Sequence, residues 1–283
     1  MTRGIATLVG TSAIGMWALL ALFTVGAAEV PPFQRTAFCF TVASLIGLGW
    51  GAASGTLGEL RAVPWRVALF GAAGLFGYHA LYFFALRTAP PAGAGLIAYL
   101  WPLLIVLFSG LLPGERLRTG HILGAVAGFA GAAAILLAGR GSGLGGLHLG
   151  YGLALGCALV WSGYSVLSRR ARAVPSIAVT LYCALSAAAA LVFHLALEET
   201  VWPATTGGWL SMAGLALGPV GLAFFTWDVG VKRGDIQLLG VLSYAAPVLS
   251  TLALVVVGMA EPSAALFLAT ALITGGAALA ARA

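Results

Sequence analysis

An apolar stretch of twenty residues with a proline near its centre, Gly93 to Leu112, constrains this chain more than any other feature. It contains no charge and is long enough to cross a bilayer as a helix that rises about 1.5 Å per residue. Pro102 has no N–H, so it cannot donate to the carbonyl of Ala98. Within lipid, such a break is tolerated only where it faces protein or a water-filled cavity. The stretch therefore predicts a broken membrane helix beside a cavity.

A second copy of this stretch, Leu239 to Met259, indicates that the chain is duplicated. Tyr244 and Pro247 follow Tyr99 and Pro102 at the same offset of 145 residues. Other pairs match at an offset of 144 or 145: Trp17 with Trp161, Pro31 with Pro175, Cys39 with Cys183, Tyr82 with Trp227, Arg87 with Lys232, and Gly95 with Gly240. The near-constant offset predicts one broken helix in each half.

Apolar runs separated by turn residues fill the rest of the chain and predict its fold class. Hydrophobic residues make up 61% of the chain and charged residues 8%, which leaves too little polar surface for a soluble domain. The pattern predicts an all-α polytopic protein of the lipid bilayer with ten transmembrane helices. The predicted spans are 5–27, 33–52, 65–87, 91–112, 119–138, 147–168, 175–197, 207–231, 235–258 and 262–281.

Basic residues concentrate in alternate breaks between the spans and predict the orientation. One side of the membrane receives Arg3, Arg61, Arg66, Arg116, Arg118, Arg169, Arg170, Arg172, Lys232, Arg233 and Arg282. The other side receives Arg87 and Arg140, together with Glu29, Glu198, Glu199 and Glu261. Basic residues favour the cytoplasm, so both termini are predicted to be cytoplasmic in an inner (plasma) membrane. The basic residues behind the net charge of +6 lie singly or in short groups between the apolar runs, as residues that set membrane topology do. No nucleic-acid partner is therefore expected.

Each half of the duplicated chain contains five predicted spans. The first repeat is predicted at 1–140 and the second at 147–283. Because five is odd, the two halves enter the membrane in opposite senses. The sequence thus predicts two five-helix inverted repeats around a central cavity, in a monomer or a weak homodimer.

Two five-helix halves, the turn at Pro90-Pro91 and the PGE sequence at Pro113–Glu115 resemble the drug/metabolite transporter superfamily. The resemblance covers essentially the whole chain and is closest to the ten-helix members with two EamA domains. An aromatic-rich first half is similar to the aromatic amino acid exporter branch; its aromatic residues are Trp17, Tyr78, His79, Tyr82, Tyr99 and Trp101. The resemblance implies a helix bundle with a central cavity that opens alternately to the two faces of the membrane.

The third predicted span carries three polar-tipped rings near its middle, Tyr78, His79 and Tyr82. Spacings of three and four residues place them on one broad helical stripe. Each ring needs a hydrogen-bond partner within a membrane, so a cavity wall that binds substrate explains them. The alternative is a hydrogen-bonded contact between helices without substrate. No second ligand accompanies His79, so no metal is expected there.

Aromatic residues near the proline breaks and in the spans before them extend this predicted substrate-binding lining. Tyr99 and Trp101 lie about 200° apart on an ideal helix, so both face one cavity only if Pro102 distorts the turn. The sequence does not decide whether Tyr99 or Trp101 faces the cavity. Three further aromatic residues, Trp17, Trp161 and Tyr164, are predicted to complete the lining, and an interfacial aromatic belt is their alternative.

The two prolines are predicted either to free backbone carbonyls for substrate or only to bend the helices for gating. Pro247 cannot donate to the carbonyl of Ser243, as Pro102 cannot donate to that of Ala98. These acceptors, with the hydroxyls of Tyr99, Ser243 and Tyr244, would receive a substrate ammonium group. The sequence leaves the two roles open.

Asp228 is the one carboxylate within an apolar run. A buried acid in a membrane is costly and suggests proton coupling, whereas Lys232 four residues later indicates an ordinary ion pair. The first-helix carboxylate of four-helix multidrug relatives is missing here, since Glu29 lies at the end of that helix. Facilitated export is therefore the simplest interpretation of energy coupling.

These features together predict a secondary transporter that exports amino acids, aromatic and other neutral ones, or similar small metabolites. The alternatives are a multidrug or metabolite exporter of the same fold, or a membrane scaffold that transports nothing. An enzyme is not expected, because no nucleophile–base pair, GxSxG or HExxH sequence occurs. No cofactor is expected, and the absence of a GxxxxGK[ST] sequence argues against ATP as the energy source.

Overall fold

A computed structural model describes residues 1–137, 148–259 and 261–283, and all regular elements within these ranges are helical. The α-helices are α1 (Arg3–Ala18), α2 (Leu20–Gly26), α3 (Pro32–Ser54), α4 (Trp65–Thr88), α5 (Pro91–Ala98), α6 (Trp101–Ser109), α7 (Thr119–Leu137), α8 (Leu149–Ser168), α9 (Val179–Leu197), α10 (Thr206–Leu217), α11 (Ala223–Arg233), α12 (Ile236–Leu242), α13 (Ala245–Val256) and α14 (Ala264–Ala281). Short 3₁₀ helices occupy Leu57–Ala62, Arg169–Ala171 and Ser176–Ala178.

Four pairs of these helices join end to end, so that the described residues contain ten spans long and apolar enough to cross a membrane. The pairs are α1 with α2, α5 with α6, α10 with α11, and α12 with α13. This confirms the predicted all-α membrane fold. The described span boundaries lie within a few residues of the predicted ones, but the connection after the fifth span, including Arg140 and the predicted repeat boundary at 140–147, falls outside the described residues.

The start of α3 shows how the turn residues and the opposite repeat position a helix. Pro32 is the first helical residue, where its missing N–H costs nothing. The free N–H groups of Phe33 and Gln34 donate to the two carboxylate oxygens of Glu198, each at 3.0 Å. Glu198 follows α9, so the second repeat caps a helix of the first.

Small residues let repeat-related helices approach each other closely. The backbones of α7 and α14 meet at Gly124 and Gly276, where an added Cβ on Gly124 would lie 2.4 Å from the Gly276 carbonyl oxygen. These two helices are the fifth and tenth spans, which contribute few residues to the cavity described below. Close packing through small residues is typical of contacts between membrane helices, and here it joins the two repeats.

Candidate functional site

A cavity of about 610 Å³ lies between the two repeats. Its walls reach from the bundle centre to the ends of the spans that lie opposite both chain termini, where Thr24, Leu86 and Leu254 line it. Most of the lining is apolar or aromatic, with a few polar groups such as Thr36 and Ser250. A concave, mostly apolar pocket with few polar groups is typical of a small-molecule site.

Four tryptophans close the inner end of the cavity, and we call Trp17, Trp101, Trp161 and Trp227 the aromatic floor. Their ring centroids are 5.0–6.3 Å apart, in edge, tilted and stacked arrangements. A narrow pocket of about 140 Å³ lies directly above, and Trp17, Trp101 and Trp161 line it. The floor takes two tryptophans from each repeat, so it forms only where the halves meet.

The aromatic stripe of α4 faces the cavity. Tyr78, His79 and Tyr82 all line both the large cavity and the narrow pocket, as the helical spacing predicts. The Tyr78 and Tyr82 rings are stacked at 6.1 Å, and His79 Nδ1 lies 2.7 Å from the Leu75 carbonyl oxygen. Since a carbonyl only accepts, Nδ1 carries the hydrogen and the Nε2 of the neutral ring is left as an acceptor. The stripe therefore offers both ring faces and a hydrogen-bond acceptor.

The break in the fourth span resolves the choice between Tyr99 and Trp101. The helix is interrupted at Tyr99–Leu100, ahead of Pro102, and α6 restarts at Trp101. Both rings consequently line the narrow pocket, with centroids 6.5 Å apart. Pro102 is the second residue of α6, where a missing N–H is tolerated.

The matching break in the ninth span falls at Ser243–Tyr244, and here the polar groups of Ser243 differ from the prediction. The carbonyl of Ser243 is not left free, because it accepts from the N–H of Ala246 at 3.2 Å. Pro247 itself lines the large cavity. The hydroxyl of Ser243 donates to the Leu239 carbonyl at 2.7 Å, so it is also occupied.

Three residues of the predicted lining lie behind it instead. Ser243 and Tyr244 are fully buried, and Tyr244 packs against Gly128, where an added Cβ would lie 2.5 Å from its ring. The Tyr244 hydroxyl accepts from the backbone N–H of Leu103 at 3.0 Å. Tyr164 is 2% exposed and its ring lies against Gly74. Groups on neighbouring spans hold the two tyrosines away from the cavity, whereas Ser243 is bonded to a carbonyl of its own helix.

One part of the lining was not predicted from the sequence. The eighth span contains a π-helical segment, Gly218–Leu222, and its Pro219 and Val220 line the narrow pocket. The Trp17 indole N–H donates to the Pro219 carbonyl at 3.1 Å. A proline in the middle of an apolar span was the available signal, since such insertions often mark functional sites.

Comparison with known proteins identifies the fold. The model of the EamA-like transporter family matches two stretches of the chain, residues 3–137 and 148–282. This chain belongs to the EamA-like transporter family. The two matches confirm the predicted two-repeat architecture and the predicted resemblance.

Similar proteins of full length support the assignment. The aromatic amino acid exporter YddG of Ancylobacter novellus is 53% identical over 283 residues, which cover 99% of this chain and 98% of the relative. The aromatic amino acid exporter YddG of Escherichia coli K12 is 27% identical, and the match covers 99% of this chain and 97% of that relative. A solved crystal structure, 53% identical, matches with a TM-score of 0.94 over 99% of this chain and 97% of the other. The chain is a multi-pass membrane transporter rather than an enzyme.

In this EamA-like transporter, an ion network closes the bundle on the side of the chain termini. Glu115 pairs with Arg169 and, at 3.5 Å, with Arg3, which also pairs with Asp235 at 3.0 Å. Arg169 donates to the carbonyls of Val231 and Gly234 at 3.0 and 2.9 Å. We call Arg3, Glu115, Arg169 and Asp235 the closing network; it ties the first, fourth, sixth, eighth and ninth spans together.

Direct backbone contact reinforces the closing network. An added Cβ on Gly10 would lie 2.8 Å from the Gly230 Cα, and one on Gly230 would lie 2.6 Å from the Gly10 Cα. The first and eighth spans therefore touch without intervening side chains. This EamA-like transporter is consequently open at one end and sealed at the other.

Asp228 and Lys232 form an ion pair of 2.8 Å on α11, and both side chains are buried. The Lys232 ammonium also donates to the Val174 carbonyl at 3.0 Å. The i,i+4 pair expected as the alternative to a coupling role is therefore present, and it is buried inside the protein. A part in proton coupling stays a prediction.

Proposed function

We propose that this protein exports amino acids, aromatic and other neutral ones, or similar small metabolites across the inner membrane by alternating access. The observation that carries the proposal is an aromatic-floored cavity between inverted repeats, open at one end and closed at the other by ions and backbone. Alternating access needs such a central site, with a seal on one side at a time. The named activity of the two relatives supports the choice of substrate class.

The chemistry of the site suits an amino acid with an apolar or aromatic side chain. Tryptophan and tyrosine rings bury flat apolar groups and stack against other aromatic rings. The hydroxyls of the α4 tyrosines and the Nε2 of His79 offer partners for a polar group beside them. Tyr78, His79, Tyr82, Tyr99, Trp101, Trp17 and Trp161 are the residues that we assign to substrate contact.

The predicted orientation determines the side of the membrane to which the cavity opens. The closing network lies on the side of the termini, which the distribution of basic residues assigns to the cytoplasm. The cavity then faces outward, and the structure represents the state from which an exported substrate leaves.

We expect reporters fused after Arg172 and at Ala283 to lie in the cytoplasm, and a reporter fused after Glu199 to lie outside it. The reason is the excess of basic residues in alternate connections. Paired phosphatase and fluorescent-protein fusions measure this. Phosphatase activity at Ala283 would contradict the proposed orientation.

Transport itself is tested in proteoliposomes that contain the purified full chain. Labelled L-phenylalanine inside the vesicles should exchange with unlabelled L-phenylalanine outside, because exchange needs only alternating access. Equal initial rates with and without a pH gradient would indicate facilitated export. A rate that rises with an inward proton gradient and loses that dependence in Asp228→Asn would assign coupling to Asp228.

Empty vesicles and vesicles with Trp50→Ala serve as controls, since Trp50 is 72% exposed and lies outside the central cavity. No exchange of any neutral amino acid above the empty vesicles would contradict the proposed function.

A multidrug exporter of the same fold is the second candidate, and the size of the cavity favours it. About 610 Å³ falls in the range of pockets that hold drug-sized ligands, roughly 300–1,000 Å³. Competition between L-phenylalanine and bulky aromatic cations for exchange distinguishes the two candidates.

As to assembly, we propose a monomer or a weak homodimer, which light scattering in detergent measures directly.

A further inference from the structure

The large cavity contains one permanently charged side chain among its described lining residues, that of Arg35. The cavity is otherwise apolar, aromatic or neutral, so a charged group that enters it leaves water without a protein counter-charge. An amino acid carries a carboxylate and an ammonium group, and burying either without a partner is costly. The position of Arg35 therefore bears directly on which substrates the cavity accepts.

Arg35 occupies an unfavourable position for a cation. It lies in the first turn of α3, near the positive end of the helix dipole. Its guanidinium donates to the Ala27 carbonyl at 3.3 Å, which uses one of five N–H groups. The helix dipole does not stabilise a cation at the helix N-terminus. An anion bound there is stabilised both by the dipole and by the cation.

The acid at the same helix start is engaged elsewhere. Both carboxylate oxygens of Glu198 accept from backbone N–H groups of α3, and one also contacts His194 Nδ1 at 3.1 Å. Its nearest arginine contact is with Arg87 at 3.8 Å. Within the described residues no carboxylate oxygen lies within 4.0 Å of the Arg35 guanidinium, although the charge of Glu198 acts on it from further away. The remaining N–H groups of Arg35 are therefore available to a ligand in the cavity.

The spacing between Arg35 and the aromatic site fits an amino acid. Arg35 and Cys39 are four residues apart and both line the cavity. The neighbouring Phe40 ring lies 5.3 Å from the His79 ring. Along α3, Arg35 is thus one helical turn, about 5.4 Å, nearer the open end than Cys39, the residue before the one that contacts His79. An aromatic side chain on the floor would direct its carboxylate toward Arg35 and leave the ammonium near His79 Nε2.

We propose that Arg35 is the carboxylate-binding residue of the cavity and selects substrates that carry a carboxylate. This inference rests on the proposed function, since it names the group by which an exported amino acid is held. Guanidinium and carboxylate form charge-assisted, two-pronged hydrogen bonds that a lysine only partly reproduces.

The test compares L-phenylalanine with L-phenylalanine amide, which keeps the ring and the amine but lacks the carboxylate charge. Binding of both is measured by quenching of the floor tryptophans, in wild type, Arg35→Gln and Arg35→Lys. We expect Arg35→Gln to weaken phenylalanine binding by about ten- to a hundredfold, the size of a charged hydrogen bond. Amide binding should change by less than about twofold, and Arg35→Lys should recover part of the phenylalanine affinity.

Arg87→Gln is the matched control, because Arg87 is a half-exposed arginine at the same end of the bundle that does not line the cavity. It should leave both affinities unchanged, and size-exclusion profiles should show that each variant is folded. Equal weakening of both ligands in Arg35→Gln, or a wild type that binds the amide as tightly as phenylalanine, would overturn the carboxylate site. Arg35-dependent binding without exchange in vesicles would instead overturn the proposed export and leave the site standing.

Discussion

Trp101→Ala is expected to reduce L-phenylalanine exchange at least about tenfold while the protein remains folded in the membrane. Trp101 contacts Trp17, Trp161 and Trp227 with centroids 6.0–6.3 Å away, and it lines the narrow pocket. Each aromatic pair contributes about 0.5–1.5 kcal/mol beyond its buried area, and about 1.4 kcal/mol is a factor of ten. Removal of this ring also opens a gap in the floor.

Initial exchange rates in proteoliposomes, normalised to inserted protein, measure the effect. Trp50→Ala removes the same side chain from an exposed surface and should retain the wild-type rate. Wild-type exchange by Trp101→Ala would reduce the floor to a packing element with no part in transport.

Glu115→Gln is expected to move the protein away from the state in which the side of the chain termini is closed. Glu115 holds Arg169 and Arg3 together, and its side chain is only 10% exposed. A partly buried carboxylate with two cationic partners stabilises the closed side by more than the roughly 0–1 kcal/mol of an exposed pair. The glutamine retains the size but not the charge, so closure on the termini side should weaken.

Access to the cavity measures this shift. A cysteine introduced as Ser250→Cys, in a background with the three native cysteines replaced by alanine, lies in the cavity wall. Its labelling by a membrane-impermeant maleimide from outside should fall about threefold in Glu115→Gln, because roughly 1 kcal/mol changes the ratio of two nearly equal states about fivefold. Exposed Glu59, on the same side of the bundle, provides the control Glu59→Gln. Unchanged labelling in Glu115→Gln would mean that backbone contact alone seals this side.

The fold and part of the site are readable from the sequence because they depend on local periodicity. Apolar runs give the spans, and helical spacing alone places Tyr78, His79 and Tyr82 on one wall. The choice between Tyr99 and Trp101 could not be made from an ideal helix. It depends on where the break falls, and the helix is interrupted at Tyr99–Leu100, which turns both rings to the same pocket.

The repeat itself misleads where the two halves differ in conformation. Tyr99 and Tyr244 are equivalent by sequence, and equivalence predicts the same role for both. In the structure Tyr99 lines the cavity, whereas Tyr244 is buried against Gly128. The two inverted repeats would enclose a symmetric cavity if they had the same conformation. A cavity that is open at one end and closed at the other therefore requires the repeats to differ in conformation. A repeat therefore predicts which residues are related, but not which of them faces the substrate in a given state.

The hydrogen bond from Leu103 to Tyr244 then has an energetic meaning for the transport cycle. The N–H of Leu103 is an orphan donor at the start of α6, and a hydroxyl from the other repeat satisfies it. By the 145-residue offset, Tyr99 and Val248 are the counterparts of Tyr244 and Leu103. If the repeats exchange conformations, Tyr99 leaves the cavity to satisfy Val248 while Tyr244 is released. Each state then contains the same number of backbone N–H groups that are hydrogen-bonded. Neither state carries an additional unpaired buried N–H group, which would cost roughly 1–3 kcal/mol, so the two end states stay close in free energy.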